Sequence, residues 1–152
     1  MNTKSISFPG FSLDVPDGWD DITEELRLEE EDCPWTIADE TSGVGSFQFS
    51  VAVFDGPPPG STDDELFDLV CVFAEEQGLA DGFDRAPIVG QAHGIAMSFR
   101  DDDDFYRIAY LTDGRTFLLV TYTSDWEDRQ TDATTVQAAL ESLRFQSPTK
   151  RR

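Results

Sequence analysis

Cysteine, histidine and positive charge are all scarce in this chain of 152 residues. It has two Cys and one His, and its eleven Lys and Arg face thirty-one Asp and Glu, a formal net charge of −20. Transition-metal centres need Cys and His at close spacing. Here Cys33 and Cys71 are far apart and His93 stands alone in "GQAHGI", so no such centre is expected and His93 reads as a surface or packed residue. Cys71 falls in an apolar helical pattern, where a thiol acts as a small hydrophobe. Two free thiols in a reducing compartment are the expectation. Glu31 and Asp32 beside Cys33 raise a thiol's pKa, the opposite of what a nucleophile needs. The shortage of bases argues against nucleic acid and anionic lipid as partners. No run of 18 apolar residues occurs and the opening "MNTKSISFPGF" has no apolar signal segment, so a cytoplasmic protein without a membrane span is expected.

Also absent are a Gly-rich phosphate loop, a G-x-S-x-G elbow and an H-E-x-x-H motif. Acid/base catalysis needs a carboxyl group in an apolar pocket, whereas the acids here come in polar runs. Asp14, alone between Leu13 and Val15, alternates with apolar positions as an outward-facing strand residue does. The chain therefore reads as a non-enzyme with no catalytic residue, no metal and no cofactor.

What is present is the composition of a folded domain. Hydrophobic residues make up 39% of the chain, with twelve Phe and three Trp. At this length roughly 68–70% of the unfolded surface can be buried without metal or disulfide staples. One domain over residues 1–147 is expected, with a frayed basic tail at 148–152. Alternation predicts strands at 11–15, 35–39, 47–54, 105–111 and 115–123, and one bent at its glycines in "APIVGQAHGIAMSF". Loops at "ETSGVGS" and "TDG" join neighbours as hairpins, and "DGPPPGS" forms a stiff exit. Phe117 to Val120 are apolar on both faces, which predicts a central strand. The spacing predicts one helix over 62–77, with a Thr62/Glu65 capping box and a stripe of Leu66, Leu69, Val70 and Phe73. A second helix is predicted over 131–143, with Val136, Ala139, Leu140 and Leu143 inward.

The charge is concentrated. "DDITEELRLEEED" holds eight carboxylates in thirteen residues, opposed by Arg27 alone. Ile22 and Leu26 have helical spacing and Leu26 and Leu28 strand spacing, so its local structure stays open. "RDDDDFYR" lacks the alternate oxygens and sharp glycine of a calcium loop and reads as a solvated hairpin tip. Two readings of 20–32 stand, a solvated face and a binding surface. Trp35 directly beyond it supports the second, because acids steer a basic partner while an aromatic ring anchors it. The candidate contact residues are Asp20, Asp21, Glu24, Glu25, Glu29, Glu30, Glu31, Asp32 and Trp35.

Three segments in order, "FSLDVPDGW", "FYRIAYLTDGRTFLLVTYTS" and "QAALESLRF", resemble the PsbP-like fold. That fold is named for a photosystem II subunit and shared with a Ran-binding import factor. The first segment, through Phe11, Leu13, Pro16, Gly18 and Trp19, is also similar to the opening of type VI secretion effector chaperones. The resemblance implies an α+β fold, one twisted antiparallel sheet of about six strands flanked by helices, and members that bind proteins or ligands without catalysis. With the charge, this leads to a module for a basic protein partner, most concretely an immunity protein that occludes a basic toxin or effector. The alternative is a secretion chaperone or adaptor, although Gln48 and Ser50 on the second face of strand 47–54 offer little apolar groove.

Overall fold

The computed structural model describes residues 2–52 and 60–146. The exit segment and the end of the strand expected at 47–54 lie partly outside the described residues, and the basic tail lies wholly outside them. Strands β1 (Thr3–Phe8) and β2 (Phe11–Pro16) form a hairpin across Pro9-Gly10. Gly10 takes φ +94°, the left-handed position that a Pro-Gly turn requires. Strand β3 (Trp19–Asp21) follows, then a short helix α1 (Thr23–Arg27), and the hairpin β4 (Trp35–Asp39) and β5 (Ser46–Val51). Helix α2 (Asp63–Glu76) leads into three antiparallel strands, β6 (Phe83–Val89), β7 (His93–Asp101) and β8 (Asp104–Thr112). Strand β9 (Phe117–Asp125), a 3-10 turn (Trp126–Asp128), helix α3 (Ala133–Ser142) and β10 (Arg144–Phe145) complete the fold.

The expected single sheet of about six strands is corrected. The strands form a seven-stranded antiparallel sheet in the order β3-β4-β5-β9-β8-β7-β6 and a separate three-stranded sheet β1-β2-β10. The strand foreseen at 11–15 belongs to the small sheet. Its pairing partners are the polar "TKSIS" of β1, with little apolar signal of its own, and a two-residue strand from the far end of the chain. The single bent strand foreseen in 86–99 is a hairpin, β6 and β7.

The two faces of the large sheet are covered differently. Leu66, Val70 and Ala74 of α2 pack on Ile95, Met97, Ile108 and Tyr110 of β7 and β8. The Thr62 cap and its reciprocal Glu65 bond are both formed. On the other face the small sheet and α3 cover Phe47, Phe49, Val120 and Tyr122 with Phe11, Leu13, Val136 and Leu140. β9 sits fourth of seven and puts Phe117 into one cluster and Leu118 and Val120 into the other. That is why both of its faces had to be apolar.

Candidate functional site

Residues 20–32 divide between β3, α1 and a closed turn. The helical spacing of Ile22 and Leu26 prevails, because Asp21 Oδ1 accepts from Thr23 N at 3.0 Å and Leu26 N donates to the Ile22 carbonyl at 3.1 Å. Thr23, buried on the inner side of α1, accepts from Thr36 N at 2.8 Å and fixes the helix to β4. Arg27, the single base in the run, stays exposed and donates from Nε to the Cys33 carbonyl at 2.9 Å. This closes the turn and leaves the chain's outer side to Glu24, Glu25, Glu29, Glu30, Glu31 and Asp32, all exposed. Leu28 stands among them at 87% exposure.

Not every candidate residue is available for contact. Asp20 is bound to Lys4, which holds its carboxyl below the usual range, helped by a hydrogen bond with Glu40. Glu40 is in turn raised, first by that bond with Asp20 and then by burial and repulsion. Trp35 is half-buried. Its ring stacks on Phe8 at 5.6 Å between centroids and meets Phe11 edge-on at 5.6 Å. The apolar group standing free among the acids is therefore Leu28.

The carboxylates continue beyond the run. A groove of about 620 Å³ beside Ile22 is lined by Asp39, Glu40, Asp104 and Asp125. Asp101 pairs directly with Asp104, and Asp104 with Asp125, across β7, β8 and β9. Like charges placed directly opposite on a sheet destabilise it, so this row is held against its own repulsion. The "DDDD" tip is exposed, as its sequence indicated, and Asp104 also forms one wall of the groove. Among the described residues no three His, Cys, Asp or Glu side chains gather into a metal-ligand set. His93 Nε2 lies 2.8 Å from Asp63 on the surface, and both thiols are free.

A second site has the opposite charge, and the sequence reading missed it. Between β6, the inner face of β7 to β9, the 3-10 turn and α3 lies a cavity of about 410 Å³. Its aromatic walls are Phe83, Phe105, Tyr122 and Trp126, and its charged lining is Arg107, Arg129 and Asp84. Arg107 Nη1 donates to the Asp84 carbonyl at 2.6 Å and to Ser98 Oγ at 2.8 Å. The carbonyl is presented by a bulge in β6 between Phe83 and Ala86, where Asp84 takes φ +55°. Such a conformation is unfavourable for a non-glycine residue and collects at functional sites. Burial lowers the Arg107 pKa, and the charge of Asp84 opposes that shift. Arg129 and Arg100 both lie over the Trp126 ring, at 3.9 and 4.3 Å.

Under the cavity, Tyr122 Oη donates to Asp132 Oδ2 at 2.6 Å. Gly45 permits this approach, since a Cβ there would lie 2.1 Å from Tyr122 Oη. Burial pushes Asp132 up to about 6, against the Tyr122 bond and with the help of Asp39. Burial also raises Asp39, but hydrogen bonds from Ser42, Thr41 and Asp132 outweigh it and leave that carboxyl low. Below about pH 6 Asp132 is thus the member of its pair with Asp39 that holds a proton. The sequence did hold one signal for the cavity. In "FYRIAYL", Arg107 occupies an inward position in step with Phe105, Ala109 and Leu111.

A seven-stranded antiparallel sheet with one helix on one face, and a small sheet plus a helix on the other, defines the PsbP-like fold. The cyanobacterial PsbP of Synechocystis superposes with a TM-score of 0.61 at 10% identity, over 95% of this chain and 92% of its own. The Ran-binding protein Mog1p of Saccharomyces cerevisiae gives 0.64 at 11% identity, over 95% of each chain. A Bacteroides thetaiotaomicron protein gives 0.55 at 16% identity over 97% of this chain, which spans 50% of that larger one. No family model and no curated protein matches the sequence. No described helix is long and apolar enough to cross a membrane.

Proposed function

We propose that this protein is a non-catalytic protein-binding module whose acidic edge and groove engage a basic protein partner. The observation that carries this reading is the convergence of distant carboxylates. Asp39, Glu40, Asp104 and Asp125 come from three separate stretches of chain and line one groove, and the solvated acids of 24–32 continue it along the sheet edge. A partner's Lys or Arg side chain entering the groove relieves the repulsion between them, so association is favoured twice. Leu28 offers the partner an apolar contact inside a polar rim. A yeast neighbour of this fold is a Ran-binding protein, which supports a protein as the occupant. In its most concrete form the module is an immunity protein, its carboxylates competing with phosphate for the active-site bases of a cationic toxin.

The test is affinity capture at low and at high salt with two baits, the wild type and a variant with Asp104 and Asp125 changed to Asn. A basic protein held by the wild type at low salt, released at high salt and lost by the variant is the expected result. A partner held equally by both baits would remove the groove from the interface.

A further inference from the structure

Three of the eleven bases, Arg100, Arg107 and Arg129, gather around Trp126 and the adjoining cavity of a chain whose net charge is −20. Lys4, Arg85 and Arg144 each pair with an aspartate. Among the described residues, none of these three arginines has a carboxylate within ion-pairing distance, although Asp84 lines the cavity and its charge acts on Arg107. With thirty-one acids in the sequence, that separation is a property of the site.

Arg107 carries the argument furthest. Both bonds from its Nη1 go to neutral oxygens, the Asp84 carbonyl and Ser98 Oγ. They fix the plane of the guanidinium and leave its Nε and Nη2, which form one edge, without a protein partner among the described residues. Those two N–H groups point in parallel, and a pair of parallel donors matches the two oxygens of a carboxylate. The guanidinium is half-buried, so a cation there lacks full solvation, and the Asp84 charge that acts on it makes no close ion pair with it. A ligand anion supplies what is missing. Three rings form one wall: Phe83 and Trp126 meet edge-on with centroids 6.0 Å apart, and Phe105 lies 6.1 Å from Trp126, while Ala133, Val136, Gln130 and Gln137 contribute the side of α3. The volume is at the small end of ligand pockets, which run from about 300 to 1,000 Å³.

We infer that this cavity binds a small organic carboxylate with a flat, apolar or aromatic body. The carboxylate lies against the open edge of Arg107, and Arg129 provides a second positive charge at the rim. The ring lies among Phe83, Phe105 and Trp126. The site is independent of any partner at the acidic edge and of the reading that places one there.

Calorimetry with phenylacetate and indole-3-acetate, each against its neutral amide, tests the assignment on the intact chain. Saturable binding of the acids is expected, about ten- to a hundredfold tighter than the amides, since a charged hydrogen-bonded pair is lost. Arg107→Lys keeps the charge and removes the paired donors, and should lose most of that preference. Arg129→Gln, at a less enclosed position, should weaken binding by a smaller factor, and circular dichroism checks that both variants fold. Equal binding of acid and amide, undiminished binding by Arg107→Lys in a folded protein, or tighter binding of phenyl phosphate than of phenylacetate would each overturn the assignment.

Discussion

The two edge strands of the large sheet carry opposite solutions to the same problem, the display of charge. Beside β3, six exposed carboxylates of 24–32 surround Leu28, with their nearest base bonded to a carbonyl. Beside β6, Arg107 is half-buried, held by a strained bulge, and lines an aromatic cavity. Solvated charges act over roughly 8 Å at physiological ionic strength and govern encounter. Enclosed charges act at contact and select the shape and valence of what they hold. The first edge suits a macromolecule approaching from solution, and the second a small molecule that fits a fixed pair of donors.

The comparison breaks most readily at the aromatic cluster. Leu140→Ala should cost ~2–5 kcal/mol, as a buried leucine does, and an unchanged melting temperature would place α3 outside the core. Trp35→Ala should cost ~2–3 kcal/mol, because its ring contacts Phe8 and Phe11. Leu28→Ala should change stability by less than ~0.5 kcal/mol while raising the dissociation rate of a bound partner. If Trp35→Ala melts like the wild type, the aromatic anchor returns to Trp35 and Leu28 loses that role.

A smaller effect concerns the carboxyl pair beneath the cavity. Asp132 stands at about 6 in the folded protein against an ordinary 3.8. The folded state therefore binds this proton more tightly, and the stability it lends falls as pH rises through that window and is flat above it. Asp39 and Asp14 are lowered and act oppositely, their contribution being lost in acid below the ordinary carboxylate range. Asp132→Asn keeps an acceptor for Tyr122 and adds a donor for Asp39. It should stabilise the fold at neutral pH by about 1–2 kcal/mol and make little difference near pH 4, as parallel denaturant titrations would show. A loss of stability at neutral pH would mean that the Asp132 carboxyl is not raised in the folded protein.

The least effect on stability is expected from replacing Glu24, Glu25, Glu29, Glu30 and Glu31 with Gln. These groups are exposed, and removing them should shift unfolding by less than ~0.5 kcal/mol. Association with a basic partner should slow, and its salt dependence should flatten. An unchanged rate at every salt concentration would make the run a solvated face and leave the groove as the whole of the interface.

Where a signal was local, it could be read in advance. The Thr62/Glu65 box and the Leu66/Val70 stripe lie within one helix, and the two-sided apolarity of Phe117 to Val120 lies within one strand. Strand β1 could not be read, because only Ile6 and Phe8 are apolar among its six residues and its pairing comes from β2. The small sheet needed a contact between Ser12 and Arg144 that no window spans. The acidic run was legible as composition, whereas its continuation through Asp39, Asp104 and Asp125 exists only once the hairpins close. The cavity draws on four strands, a turn and a helix. Only the inward phase of Arg107 announced it.

The pairing of β5 with β9 also sets an order of events at the ribosome. Residues 46–51 find their second neighbour only in residues 117–125, and β2 finds β10 only in residues 144–145. At about 5–20 residues per second, several seconds pass in which Phe47 and Phe49 border an open strand edge. Open apolar edges invite a neighbouring nascent chain to pair. The eight carboxylates of 20–32, already synthesised and two strands away across β4, repel an identical chain throughout the interval, in the manner of flanking gatekeeper charges.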